Sequence, residues 1–218
     1  MISDALVKLY DELPSGVKLV AVSKFHPLSA ILEAYSAGQR VFGENRPQEF
    51  AAKAVQLPQD IEWHFLGHLQ TNKLKLVLPY ASLVESVDSV RLLDAIEAWA
   101  SRNGKTVRVL LEVHIGAEET KQGFSPDEVR DVLANASGCP GIVFCGLMGM
   151  ASHTDDEERI RADFDGIRQL FDSCRESFPG LEAFRELSIG MSGDWRIAVD
   201  YGATIVRIGT AIFGLREY

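Results

Sequence analysis

The sequence lacks the features of secreted and membrane proteins. It contains three cysteines, Cys139, Cys145 and Cys174, which are scattered and form no CxxC pair, so no disulfide framework is predicted. No apolar run approaches the roughly 18 residues that a membrane helix needs, and the acidic N-terminal segment is unlike a signal peptide. These absences predict a cytoplasmic protein that spans no membrane and whose cysteines are mostly small buried hydrophobic side chains.

Basic charge is also scarce. The chain has 22 Lys plus Arg against 31 Asp plus Glu, for a formal net charge of -9. Proteins that bind nucleic acid or anionic membranes neutralise phosphates with basic groups, so neither partner is expected. A small anion would have to be bound by a local pocket, because the net negative charge of the protein does not attract it.

Familiar catalytic and nucleotide-binding motifs are missing. The sequence contains no GxGxxG, GxxxxGK[ST] or GxSxG. Its five histidines offer one ligand-like spacing, His64 and His68, and no cysteine accompanies that pair. We therefore predict no metal site, and we leave His64 open between a structural and a functional role.

What the chain does contain is a regular alternation of apolar, strand-like segments with helical patterns. The predicted strands are 17–22, 40–43, 61–66, 83–87, 107–113, 142–147, 186–189 and 204–208. The predicted helices are 3–12, 28–37, 47–55, 71–78, 89–101, 126–136, 160–178 and 194–201. Eight alternating units predict an α/β fold, a single (β/α)8 TIM barrel over residues 1–218, with an open doubly wound sheet as the alternative. The extra N-terminal helix is expected to cap the bottom of the barrel.

Lys24 directly follows the first predicted strand, whose residues are mostly apolar. Active sites of such barrels lie at the C-terminal ends of the strands. A partly desolvated lysine has a lowered pKa, and its neutral amine can attack a carbonyl. The position suits a Schiff base, although a solvated loop lysine is an equally simple interpretation.

Two short loops, after the seventh and eighth predicted strands, are rich in hydrogen-bond donors. They contain Ser192 and Gly193, and Gly209 and Thr210. Barrels often bind phosphate at these places, with backbone N–H groups at a helix start facing the anion. The simpler alternative for Ser192 is a helix N-cap.

Arg207 stands inside the apolar eighth strand. A buried charge is costly unless it is paired or used. Arg207 could donate to an acceptor such as a pyridine nitrogen, or form a structural ion pair with a carboxylate.

Six collinear motifs resemble those of the pyridoxal phosphate homeostasis proteins, whose fold is similar to the N-terminal barrel of alanine racemase. The motifs are VAVSK (20–24), FGEN with QE (42–49), WHFLG with LQ, Asn72 and Lys73 (63–73), GLM (146–148), LSIGMS (187–192) and VRIGTAIFG (206–214). They extend over nearly the whole chain. One departure is Arg46-Pro47, where many relatives have Tyr-Val, and it leaves the local contacts at the rim open.

The resemblance implies that pyridoxal 5′-phosphate is held as a Schiff base on Lys24. It also implies that Arg207 faces the pyridine nitrogen, that Asn45 lies beside the cofactor, and that Met150 occupies the place of a ring-facing histidine in the racemase. The phosphate would be held by a group of small residues, namely Ser192, Gly193, Gly209 and Thr210.

The resemblance implies a monomeric carrier or buffer for pyridoxal phosphate (PLP). Apoenzymes that depend on PLP would be the possible recipients of the cofactor. An arginine opposite the pyridine nitrogen weakens the ring as an electron sink. Racemisation also needs a second base, which the racemase takes from a further domain not expected here. An amino-acid racemase, a Schiff-base aldolase and a non-catalytic interaction barrel are the alternatives. Arg207→Ala is expected to weaken cofactor retention more than folding.

Overall fold

Eight parallel strands form one closed barrel in chain order, with β8 pairing back onto β1. The computed structural model describes residues 1–115 and 122–214. The strands are β1 (Lys18–Val22), β2 (Val41–Glu44), β3 (Glu62–Phe65), β4 (Ala81–Val87), β5 (Val107–Val113), β6 (Ile142–Gly149), β7 (Glu186–Ser188) and β8 (Ile205–Ile208). The predicted (β/α)8 barrel is confirmed, and the open sheet was the wrong alternative.

Helices lie between the strands and surround the barrel. They are α1 (Ile2–Glu12), α2 (Leu28–Ser36), α3 (Pro47–Ala54), α4 (Leu74–Val77), α5 (Val90–Asn103), α6 (Pro126–Ala134), α7 (Glu157–Ser177), α8 (Trp195–Asp200) and α9 (Thr210–Phe213). Short 3-10 turns occupy Thr71–Lys73 and Ala136–Gly138. None of the helices in the described ranges is long and apolar enough to cross a membrane.

Two predictions about helices need correction, and one helix was not predicted. The helix predicted over 71–78 is a 3-10 turn followed by the four-residue α4, because an eight-residue pattern does not separate i+3 from i+4 hydrogen bonding. The short α9 was missed. The N-terminal helix does not cap the bottom of the barrel: α1 contacts α2 and α9, and Glu12 pairs with Arg196 of α8. It is therefore one of the outer helices.

Two apolar clusters divide the core. The larger lies between the barrel and its helices, and the smaller fills the inside of the barrel with residues such as Val20, Leu110 and Ile205. Cys145 and Cys174 are buried, as predicted, whereas Cys139 is only partly buried. Above the inner cluster, polar side chains replace the apolar ones, and they belong to the site described next.

Candidate functional site

Lys24 lies in a tight turn immediately after β1, and its side chain is partly buried. The N–H of Ser23 continues the β1–β2 pairing by donating to the carbonyl of Gly43 at 3.0 Å, and the N–H of His26 donates back to Ser23 O at 3.1 Å. Phe25 has φ of 68°. This left-handed conformation costs a non-glycine residue on the order of 1–3 kcal/mol, so the surroundings must hold it.

Residues at the start of α3 hold the strained Phe25. Its N–H donates to Glu49 Oε1 at 2.7 Å, and the guanidinium of Arg46 lies 4.3 Å from the centre of its ring, a cation–π contact. Pro47 is the first residue of α3. The unusual Arg46-Pro47 pair therefore has local partners at the rim, which answers the question that the sequence left open.

The loop after β7 is closed on itself by Asp194. The Asp194 carboxylate accepts the N–H of Met191 at 2.5 Å, and Asp194 N–H donates to Met191 O at 3.2 Å. The helix α8 begins only at Trp195, with Asp194 as its N-cap residue, so the N-cap interpretation of Ser192 was wrong. Ser192 and Gly193 instead form the tip of this loop.

The loops after β7 and β8 meet at Ser192 and Gly209. Ser192 Oγ accepts the N–H of Gly209 at 3.4 Å. Within residues 1–115 and 122–214, no acceptor is found for the backbone N–H groups of Ser192, Gly193, Thr210 and Ala211. A cluster of backbone donors without acceptors is suited to an anion. The predicted phosphate residues are thus brought together, although their role stays a prediction.

The Lys24 turn contacts the loop after β8. In the β1–β8 pairing, Ala21 lies opposite Ile208, and a Cβ built on Gly209 would lie 3.1 Å from the carbonyl oxygen of Val22. The rings of His26 and Phe213 stack with their centroids 4.9 Å apart. The amine-bearing turn and the donor-rich loops therefore form one continuous surface at the C-terminal end of the barrel.

Asn45 lies just past β2 and has an unsatisfied polar atom. Its Oδ1 is buried and has no hydrogen-bond partner in the part of the chain that the structure describes. A Cβ on Gly67 would lie 2.1 Å from Asn45 O, so only glycine permits this close approach of the two strand ends. Leaving a buried acceptor unpaired costs about 1–3 kcal/mol, which is consistent with a ligand donor at this place.

Arg207 points into the barrel and is held on two sides. Its Nη1 donates to Ser188 O and Oγ at 2.8 and 2.6 Å, and Nη2 donates to Gly149 O at 2.8 Å. Arginine has five N–H donors, so Nε–H and one N–H of Nη2 lack an acceptor among the described residues. Arg207 is both anchored structurally and able to donate to a further acceptor.

A chain of hydrogen bonds crosses the barrel behind Arg207. Ser188 Oγ donates to Glu85 Oε2 at 2.5 Å, and His64 Nδ1 lies 2.5 Å from Glu85 Oε1. Arg207 Nη1 is also 3.9 Å from Glu85 Oε2. Burial alone would raise the pKa of Glu85, but the bonds from His64 and Ser188 and the charge of Arg207 lower it below its usual range. His64 is thus bonded through Nδ1 to a buried carboxylate and stabilises the ionised form of Glu85.

Beside this network, Glu112 lines a cleft of about 250 Å³ with His114, Met150, Ser152, His153 and Met191. Met150 follows β6 directly and is exposed. Glu112 is only 3% exposed. Burial and the neighbouring charge of Asp88 raise its pKa to about 7, against the opposing effects of Arg207 and His68. The cleft therefore holds a carboxyl group that can gain or lose a proton near neutral pH.

Glu112 should make the stability of the protein depend on pH. Its pKa rises from the usual 4.5 to about 7 in the folded protein. The resulting stabilisation is fully present below the lower value and is lost as the pH rises through the higher one. Because one pKa unit corresponds to about 1.4 kcal/mol, we expect the free energy of unfolding to fall by up to about 3 kcal/mol between roughly pH 4.5 and 8.

Urea denaturation of the wild type and of Glu112→Gln across this range would measure the effect. The variant should lack this fall, because glutamine does not titrate. Parallel profiles for the two proteins would show that the carboxyl group of Glu112 keeps an ordinary pKa.

The sequence analysis did not single out several residues that the structure places at this site, namely Glu49, Glu85, Glu112 and Ser188. One signal was available for Glu85 and Glu112: each is an acidic residue inside a strand whose neighbours are buried. The same reasoning that singled out Arg207 applies to both. Among the described residues, no group of three His, Cys, Asp or Glu side chains could hold a metal ion.

Comparison with known proteins identifies relatives over nearly the full length. The family model for the alanine racemase N-terminal domain matches residues 4–217. A pyridoxal phosphate homeostasis protein of Aquifex aeolicus is 40% identical over 202 residues, covering 92% of this chain and 88% of that protein. The human protein of the same name is 37% identical over 232 residues, covering 100% of this chain and 83% of its own.

Solved structures agree with the sequence matches. The structure of PipY from Synechococcus elongatus with PLP bound superposes with a TM-score of 0.91 at 38% identity, covering 98% of this chain and 100% of that chain. Alanine racemase from E. faecalis has a TM-score of 0.73 at 18% identity and is covered over 57% of its length, which shows a shared fold alone. The chain belongs to the family of the pyridoxal phosphate homeostasis proteins.

Proposed function

We propose that this chain binds pyridoxal 5′-phosphate as a Schiff base on Lys24 and acts as a carrier or buffer of the cofactor. The observation that carries the proposal is the junction of the Lys24 turn with the two loops around Ser192 and Gly209. An amine and a cluster of anion-binding donors on one surface suit a ligand with an aldehyde at one end and a phosphate at the other. The names of the relatives and the PLP bound to PipY support the same ligand.

The remaining residues would complete the binding site. The N–H groups of Ser192, Gly193 and Thr210 and the hydroxyls of Ser192 and Thr210 would bind the phosphate, and Gly209 would let the backbone approach it closely. The unsatisfied Oδ1 of Asn45 would accept a hydrogen bond from the ligand. Met150 would contact the ring. The spare donors of Arg207 would face the pyridine nitrogen. When bound, the cofactor supplies an electrophilic aldehyde carbon.

Arg207 also bears on whether the protein turns over a substrate. Its bonds to Ser188 and Gly149 and its nearness to Glu85 favour the guanidinium cation. A cation at this place disfavours protonation of the pyridine nitrogen, and an unprotonated ring is a poor electron sink. We therefore favour storage and transfer over catalysis. The proposal includes a cytoplasmic monomer that delivers the cofactor to PLP-dependent apoenzymes.

The racemase alternative has one observation in its favour, the titratable Glu112 in the cleft beside Met150. Incubation of the loaded protein with single enantiomers of amino acids would test it. A steady loss of optical activity that Lys24→Ala or Glu112→Gln abolishes would replace the carrier proposal. An unchanged optical signal over many equivalents of amino acid would support the carrier.

The direct test of the binding proposal is a visible spectrum followed by borohydride reduction. The protein loaded with pyridoxal phosphate should be yellow, and reduction should bleach the visible band and fix the label on the peptide that contains Lys24. A Schiff-base aldolase or a non-catalytic interaction barrel predicts a colourless protein. A label fixed on another lysine would contradict the proposed site.

A further inference from the structure

A buried ion cluster lies beneath the Lys24 turn. The ammonium group of Lys53 in α3 donates to Glu44 Oε1 and Glu49 Oε1, both at 2.7 Å, and to the carbonyl oxygen of Ser23 at 2.8 Å. These contacts use all three N–H donors of a lysine side chain. Lys53 is 5% exposed and Glu44 is fully buried, so this pair is shielded from water, whereas the side chain of Glu49 is 22% exposed.

The cluster is bonded to both residues that flank Lys24. On one side, Lys53 binds Ser23 O, and Ser23 Oγ donates to Glu44 Oε1 at 2.6 Å. On the other side, Glu49 accepts the N–H of Phe25, the residue with left-handed φ. Because the backbone is fixed immediately before and after Lys24, the direction of the lysine side chain is restricted at its origin.

We propose that Lys53, Glu44 and Glu49 are positioning residues. Together they orient the Lys24 amine for Schiff-base formation. The inference rests on the proposed function of Lys24 and identifies the residues that orient its side chain for that function. None of the three side chains needs to touch the cofactor. They act through the turn that contains Lys24, and Glu49 is the member that accepts the N–H of the strained Phe25.

The reaction shows why orientation matters. The neutral amine of Lys24 attacks the aldehyde carbon, a C=N bond replaces the C=O bond, and the oxygen leaves as water with the two protons of the amine. No oxidant or reductant takes part. The approach of the amine is sensitive to geometry, and a displacement of about 1 Å can slow such a step by roughly 100-fold.

Glu49→Ala is the most informative variant. It removes the acceptor of the Phe25 N–H but leaves the pair of Lys53 and the fully buried Glu44. Pyridoxal phosphate would be added to cofactor-free protein, and the growth of the visible band would be followed by stopped flow. We expect band formation to be at least about tenfold slower than in the wild type, and borohydride labelling of Lys24 to be slowed equally.

Hydrogen exchange of the cofactor-free protein provides a readout that does not depend on the ligand. In Glu49→Ala the amide of Phe25 loses its acceptor, so the peptide covering residues 23–27 should exchange faster while the strands of the barrel keep their protection. Glu49→Gln retains an amide oxygen at the same place and should restore part of both the protection and the rate.

Glu62→Ala is the matched control. Glu62 also pairs with a lysine, Lys18, at 3.5 Å, but it lies at the start of β3, at the opposite end of the barrel from Lys24. This variant should form the visible band at the wild-type rate. If Glu49→Ala does not fold, the uncharged double variant Glu44→Gln/Lys53→Met tests the same cluster and should show the same slow band formation.

The outcomes separate the two proposals. If the wild type shows no label on Lys24, the proposed function fails. If the wild type is labelled, but Glu49→Ala forms the band at the same rate and exchanges no faster at residues 23–27, the positioning inference is overturned while the binding proposal stands. Slowing by Glu49→Ala alone, with partial recovery in Glu49→Gln, supports the inference.

Discussion

Replacing Lys24 with alanine is expected to abolish the visible band and all borohydride labelling at this position. In the proposed function the Lys24 amine forms the C=N bond, and alanine has no nucleophile. The two loops that we propose bind the phosphate should keep their contact in this variant, since Ser192 Oγ accepts the N–H of Gly209. Pyridoxal phosphate should therefore still bind reversibly, with the spectrum of a free aldehyde, and be lost on gel filtration.

Lys73→Ala is the matched control for this experiment. Lys73 is also partly buried and lies in the 3-10 turn that follows strand β3. Absorbance spectra, reduction with labelled borohydride and peptide mapping should show full labelling of Lys73→Ala and none of Lys24→Ala. Comparable far-UV circular dichroism of the two variants is required. A persistent visible band in Lys24→Ala would place the Schiff base on another residue.

The barrel could be predicted from the sequence because its strands are short and apolar and are separated by amphipathic helices. The stripe of Ile160, Phe164, Ile167 and Phe171 predicted the longest helix, and α7 buries these residues. The start of α8 was predicted to within one residue, but the conformation of the loop before it could not be predicted, because it depends on the Asp194 carboxylate, which accepts the N–H of Met191. A pattern of hydrophobic residues gives no information about such a hydrogen bond.

The grouping of the candidate site residues was predictable where position relative to a strand was sufficient. Lys24, Ser192 and Gly209 all lie in the loops that follow a strand, and barrel geometry brings such loops to one end. The hydrogen bonds between the buried polar residues around the site were not predictable. Ser188 and Glu85 are separated by 103 residues yet share a hydrogen bond, and a single sequence contains no signal that pairs them. The same holds for Lys53 and Ser23.

The hydrogen-bond network changes what should be expected of Arg207. From the sequence, Arg207→Ala was expected to weaken cofactor retention more than folding. In the structure, the guanidinium is 4% exposed and lies near Glu85, which is fully buried. Removing one partner of a buried pair leaves the other charge uncompensated, which typically costs 3–5 kcal/mol.

We therefore expect Arg207→Ala to lower the free energy of unfolding of the cofactor-free protein by about 3–5 kcal/mol. Urea denaturation at neutral pH measures this, and the double variant Arg207→Ala/Glu85→Gln is the control, because it also removes the carboxylate charge. The double variant should recover part of the loss. Cofactor-free Arg207→Ala as stable as the wild type would instead mean that the guanidinium is retained for the ligand alone, and that Glu85 finds enough stabilisation in His64 and Ser188.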